Sequence, residues 1–508
     1  MSPFLGVAGL GGAGGNCRRL PPPESYWISL SGISHWSNSE NLAVDSDRNT
    51  FTWGKHTNLH SQGGSYSWWI VKFDSDGVPV WHRGIGGAGN EYITNQANNM
   101  TSGVYGDVYL VGQTDSTTGT NTGQYEGYLL RYRGSDGLLQ NRKRIYFPTT
   151  QATTMSAVCH DAVYSGRIYC SGYHTESTGN IGFLMQINPF MNYTYVYNWC
   201  VDFNDMADIR DMVFDSSGNI YCTGRVGSLN QDEGFVMKLD YNGNIQWSTI
   251  FGNTGQRADY ARSIVMDSSG NLYVAGHTLN PYGSSTVAHG FLAKFNSSGT
   301  YQWTQHIGQN EASSGYETQT EGMAIYDDTI YIGGFTQAQS YSYGTGFLVA
   351  FDTSGNRQWR RDIGRGSNST GSCSVRGLDV DSRGNLYVSL SQNIMDHVPN
   401  AGSKAHTVFK IPSDGTKTGT YTYTGRTAGT GFDFVYGTSS ISTGTYYNHS
   451  TSGLNNSSIS VYSGTQLANA GFVTRVFDTY NLTEYYNASQ NIGVDQTNMT
   501  GYHKIDIP

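Results

Sequence analysis

A ten-residue pattern returns along the chain, and a repeat at a steady period constrains a fold more than any other property of a sequence. Its clearest copies are Asp215-Ser-Ser-Gly-Asn-Ile-Tyr-Cys-Thr-Gly224 and Asp267-Ser-Ser-Gly-Asn-Leu-Tyr-Val-Ala-Gly276. Each is followed by a Gly-Phe step and a tryptophan: Gly234-Phe235 then Trp247, and Gly290-Phe291 then Trp303. A third full copy carries Tyr331, Gly334, Gly346-Phe347 and Trp359. Aligned on the aromatic residue three before the glycine, seven copies emerge at Phe51, Tyr109, Tyr169, Tyr221, Tyr273, Tyr331 and Tyr387. The partner glycines are Gly54, Gly112, Gly172, Gly224, Gly276 and Gly334, with Leu390 in the last copy. From Gly54 to Leu390 is 336 residues over six intervals, a mean spacing of 56. That length suits four strands and their loops.

Each unit parses alike. An apolar strand such as Ser263-Ile-Val-Met266 ends at Asp267, a Ser-Gly-Asn turn reverses the chain, and Leu272-Tyr-Val-Ala275 returns. After a variable loop comes Phe291-Leu-Ala-Lys-Phe295, then a second turn and a fourth strand with Trp303. One four-stranded blade cannot bury both faces, but seven stacked radially bury one another. The expected fold is all-β: a seven-bladed β-propeller with an N-terminal arm and a β-rich C-terminal segment. Tyr26-Trp-Ile-Ser-Leu30 reads as a fourth strand with no blade before it, so it is expected to complete the last blade; residues 419–425 compete for that slot.

The composition agrees. Sixty-five glycines, 37 tyrosines and only 14% charged residues describe short strands and tight turns, and no stretch keeps helical periodicity over several turns. A formal charge of −9 and no basic cluster exclude a nucleic-acid partner. The segment from Pro3 to Gly15 is too short to span a membrane, and Arg18 and Arg19 follow it rather than precede it, the reverse of a secretory signal. Six cysteines lack CxxC spacing and read as small core residues; none demands an oxidising compartment.

The pattern D-S-S-G-N-[IL]-Y-x-x-G, then G-F-x-x-K-[FL] and G-N-x-Q-W, resembles the SBBP family of β-propeller repeats over about residues 26–425, most fully in repeats four to six. The resemblance implies a propeller and no shared activity, because function sits on sites grafted onto a fold. The opening Phe4-Leu-Gly-Val-Ala-Gly-Leu-Gly-Gly-Ala-Gly-Gly15, followed by a linker and Tyr26-Trp-Ile-Ser-Leu30, resembles the start of tail-associated proteins of marine and cyanobacterial phages.

Three segments follow: residues 1–25 as a glycine/proline-rich docking arm, 26–425 as the propeller, and 426–508 as a β-rich segment that packs on the propeller or on another chain. In the arm, Pro21-Pro22-Pro23 is a stiff spacer, and Phe4, Leu5, Val7 and Leu10 have no propeller pattern to receive them, so they are expected to dock on a neighbouring subunit.

Enzymatic signatures are missing. No HExxH, GxSxG or P-loop spacing occurs, and neither a cofactor nor a metal is expected. Asp74-Ser-Asp76-Gly77 opens like a calcium loop but lacks the later bidentate glutamate. Glu91, Glu126, Glu233 and Glu321 could pair across blades as glycosidase carboxylates, with no motif behind them. The recurring Asp45, Asp215, Asp267 and Asp381 read as turn formers. Arg210, Arg262 and Arg376 each stand five residues before a recurring aspartate and are candidates to ring one channel mouth as an anion site; the alternative is structural pairing with Asp208, Asp259 or Asp379. Tyr282, Tyr341 and Tyr343 are candidate surface contacts for sugar rings. The function expected is that of a non-enzymatic, tail-associated virion structural protein (fibre, baseplate or nozzle), present in several copies, docked by its arm and contacting neighbouring subunits or a host-surface glycan or protein. A secreted or surface bacterial propeller binding glycan or protein is the alternative, and a polysaccharide-active enzyme the third.

Overall fold

The computed structural model describes residues 24–438, apart from segments that fall mainly in the connections between strands: 32–36, 58–65, 87–89, 94–97, 104–105, 116–124, 147–151, 163–165, 177–178, 190–196, 204–207, 227–232, 253–258, 280–287, 309–315, 339–343, 366–372, 394–403 and 425–430. Beyond 438 it describes 473–476, 483–485 and 503–507. Seven antiparallel sheets carry the fold, and no α-helix occurs among the described residues.

Blade four shows the plan: Asp208–Phe214 innermost, then Ile220–Val226, Glu233–Leu239 and Ile245–Phe251 outermost. The last ring position is closed by the first strand. Tyr26–Ser31 pairs antiparallel with Lys404–Pro412 and completes the seventh blade. Gly419–Thr424 pairs instead with Gly431–Thr438, which adds to the outer edge of blade six. Further strands add to other outer edges: Val473–Val476 to blade two, Thr483–Tyr485 to blade one and His503–Ile507 to the closing strand.

The two ends of the blades are built differently. At one end, tight turns repeat a single geometry: Asp267 Oδ1 accepts from the amides of Ser269 and Asn271, Oδ2 from the Asn271 side chain, and Gly270 takes φ +81°. Asp45, Asp215 and Asp381 do the same, so these carboxylates are turn formers as expected. Asp74 is one too, accepting from Asp76 and Val78. We call this the turn face. The connections between second and third strands, and from each blade to the next, leave from the opposite end, the loop face.

Blades meet through the repeated aromatic residues. All seven of the aligned rings, Phe51 to Tyr387, are buried, none more than 3% exposed. A cation covers most of them: Lys72 over Phe51, Arg131 over Tyr109, Lys238 over Tyr221, Lys294 over Tyr273 and Lys410 over Tyr387, which gives the lysine of the G-F-x-x-K motif its reason. The tryptophan of the outer strand, present in every blade but the second, then packs on the turn glycine of the following blade. Trp247 lies where a Cβ on Gly299 would stand, Trp359 where one on Gly415 would, and Trp199 against Gly243. Trp27 makes the same contact with Gly77 across the closing seam and donates through Nε1 to the Ser75 carbonyl at 3.0 Å.

Candidate functional site

The inner strands carry a β-bulge at a shared position. Register slips around Glu40, Ser156, Arg210, Arg262, Glu321 and Arg376 in blades one, three, four, five, six and seven. In blade two the inner strand is interrupted, and Asn98 stands at the same count, eleven residues before the aligned aromatic. The bulge explains the conserved spacing of the repeat glycine. It drives a carbonyl against the second strand, so that a Cβ on Gly224 would lie 1.8 Å from the Asp208 oxygen and one on Gly276 1.9 Å from that of Tyr260.

These positions sit near the start of the inner strands, hence toward the loop face. Arg262, Glu321 and Arg376 line a cavity of about 300 Å3 together with Asn98, Asp211 and Asp379 among others. Asn98 leans across it: its amide donates to the Arg210 carbonyl at 2.9 Å, and its side chain to Asp211 Oδ1 at 3.1 Å.

The three arginines stand at equivalent bulge positions, Arg262 and Arg376 line the cavity and Arg210 is not among its lining residues, and their partners differ from the neighbours expected for structural pairing. Arg210 Nε does bond Asp208 at 3.0 Å, an ion pair that Ser156 also joins. Two residues before the bulge, blade five has Tyr260 and blade seven Ser374 in place of that aspartate. Arg262 accordingly reaches the next blade, where Nη1 pairs with Glu321 Oε2 and Nη2 donates to Gln319 at 2.9 Å. Arg376 Nη1 approaches the other oxygen of Glu321 at 3.4 Å. Asp259 and Asp379 are not the partners. Asp379 instead takes the amides of Val380 and, across the blade seam, Val44. Asp211 likewise staples blade four to blade five through Ser263 and the Ile264 amide.

Burial sets the electrostatics. Arg262, 2% exposed at its side chain, is brought down to about 10 by burial, with Arg210 and Arg376 adding repulsion and Glu321 opposing it. Burial, followed by Arg262 and Arg210, also holds His277 well below the ordinary imidazole value. Burial pushes the Asp379 carboxyl up to about 6 despite its two amide donors. Arg210 Nη1, Arg262 Nε and Arg376 Nε are buried with no hydrogen-bond partner.

Glu40 and Glu321, the acidic members of the ring, were not singled out as such by sequence reasoning. Counting eleven residues back from each aligned aromatic finds Glu40 with Arg210, Arg262 and Arg376; Glu321 falls at ten because the Asp327-Asp328 hairpin is shorter. Of the other glutamates, Glu91 accepts from Thr114, and neither it nor Glu126 or Glu233 lines the cavity. Among the described residues no group of acidic, histidine and cysteine side chains could hold a metal ion. Tyr282, Tyr341 and Tyr343, and Phe4, Leu5, Val7 and Leu10, lie outside the described residues; the three tyrosines belong to connections between second and third strands.

Fold and ring define a repeat-built propeller of seven blades. Residues 246–283 match the SBBP beta-propeller repeat, which places that repeat type in blade five and its junction with blade four. No curated protein matches the chain. Similar solved structures include a protein of unknown function from Dyadobacter fermentans (10% identity, 77% of this chain and 100% of that one, TM-score 0.41). They also include a Pyrococcus horikoshii acylaminoacyl peptidase (9%, 78% and 57%, 0.40) and the α-L-arabinofuranosidase Arb93A of Fusarium graminearum (9%, 75% and 98%, 0.34). At such identities and superposition scores, neither chemistry transfers to this chain.

Proposed function

We propose that the chain is a non-enzymatic, tail-associated virion structural protein whose N-terminal arm docks it on neighbouring subunits while its loop face contacts the host surface. The observation that carries this reading is the polarity of the ring. The chain joins the propeller at Glu24, on the turn face, where the carboxylate bonds Arg48 at 3.1 Å, Lys410 at 2.9 Å and Arg383. Ser25 adds a bond to Asp76 at 2.7 Å. The chain before Glu24 thus meets the propeller on the side away from the variable connections.

Deleting residues 2–20 keeps Glu24 and the closing strand, so a folded propeller is expected with unchanged thermal unfolding. In the phage that encodes the chain, that variant should be missing from assembled particles on denaturing gels. Normal incorporation would sink the docking role.

A further inference from the structure

We propose that the loop-face mouth of the channel binds one oxyanion group, a carboxylate, sulfate or phosphate, between Arg262 and Arg376, with Glu321 as a built-in competitor for the same guanidinium groups. The proposal names the ligand of the binding face in the reading above and rests on it only for the supposition that the propeller acts by binding.

Arg210, Arg262 and Arg376 occupy equivalent bulge positions in blades four, five and seven, and Glu321 occupies that of blade six. Between them the guanidinium groups make few bonds: Arg210 one to Asp208, Arg262 one to Glu321 and one to Gln319, and Arg376 a long contact to Glu321. Three of their buried N–H-bearing nitrogens have no acceptor, and Arg210 and Arg262 are at least nine-tenths buried. Buried donors of this kind are costly to leave unmet, and an oxyanion meets them with planar, charge-assisted bonds.

The rest of the channel makes the site selective. Asp211 and Asp379 lie further along the same inner strands, each already taking two amide donors. Their charges oppose deeper passage, so an anionic end entering from the loop face is stopped at the bulge ring. A cavity of about 300 Å3 admits a group of monosaccharide size. Glu321 sets the affinity, because an incoming anion must share Arg262 and Arg376 with it.

Calorimetric titration of the whole chain with inorganic phosphate, sulfate, glucuronate and neutral glucose tests this. Saturable binding of at least one anion is expected, with glucose silent; phosphate or sulfate binding points to a free ion, and glucuronate binding alone to an acidic sugar. Arg376→Gln should weaken binding by about tenfold, and Glu321→Gln should tighten it by about tenfold, the loss or gain of one charged hydrogen bond. Circular dichroism confirms that each variant is folded; should Glu321→Gln fail to fold, Arg376→Lys replaces it, expected to bind between wild type and Arg376→Gln. Absence of anion binding to the wild-type chain, glucose binding equal to glucuronate, or equal affinity in all variants would overturn the proposal. The docking reading stands or falls separately, on incorporation of the arm deletion.

Discussion

Tyr273 is held from several sides. Its ring is fully buried between blades five and six, its hydroxyl donates to Asp267 at 2.9 Å and approaches the Thr353 carbonyl of the next blade at 3.2 Å, and the Lys294 ammonium lies 5.1 Å from its centroid. Tyr273→Ala should cost about 3–5 kcal/mol in urea unfolding, the sum of a cavity and stranded partners; a loss under about 1 kcal/mol would mean that the ring does not hold the seam. Asp379 behaves oppositely. Its folded pKa of about 6 lies above the ordinary carboxylate value, so the folded state holds the proton more tightly, and this residue's contribution to stability falls as pH rises through the window between the two. Relative to Asp379→Asn, the wild type should lose about 3 kcal/mol between roughly pH 4 and pH 7, seen as converging or crossing unfolding midpoints. A pH-independent gap would show that the carboxyl is not desolvated.

At the level of strands, the closing element carries most weight. Tyr26–Ser31 brings Trp27, Ile28 and Ser29 into the ring fully buried, and Ser29 donates to the Gly77 carbonyl at 2.6 Å across the seam. Deleting residues 2–31 should therefore convert a single cooperative thermal transition into a broad one at lower temperature, whereas deleting 2–20 should not; identical melts would move closure elsewhere. This strand was legible because Trp27 continues the tryptophan series, and the blades were legible because Asp-x-x-Gly-Asn turns and buried aromatics must recur wherever the same packing recurs. Blade two is the weak copy for a physical reason: Asn141 stands opposite Arg131 where other blades put a tryptophan, and its inner strand breaks between Tyr92 and Met100. The bulges left almost no mark, since one extra residue in a strand has no residue type of its own; only the glycine facing it did. The Arg262–Glu321 pair was hidden because it joins residues of successive blades.

The whole molecule is a disc with two unlike sides. Turns on one side are fixed by Asx bonds, while the connections on the other range from the two residues 177–178, between Ile168–Glu176 and Gly179–Ile187, to the eleven residues 115–125, between Val108–Thr114 and Glu126–Tyr132. Loop lengths of this spread cost little on a frame that the other face holds in register.

Closure by the earliest strand has a consequence for the chain as it is made. Tyr26–Ser31 leaves the ribosome before any of the blades, yet its partner Lys404–Pro412 follows more than 370 residues later. At elongation rates of about 5–20 residues per second that is a wait of roughly 20–75 s with Trp27 and Ile28 lacking their final neighbours. The blades can form in order during synthesis, but the disc itself becomes a closed body only after the third strand of the seventh blade has been made.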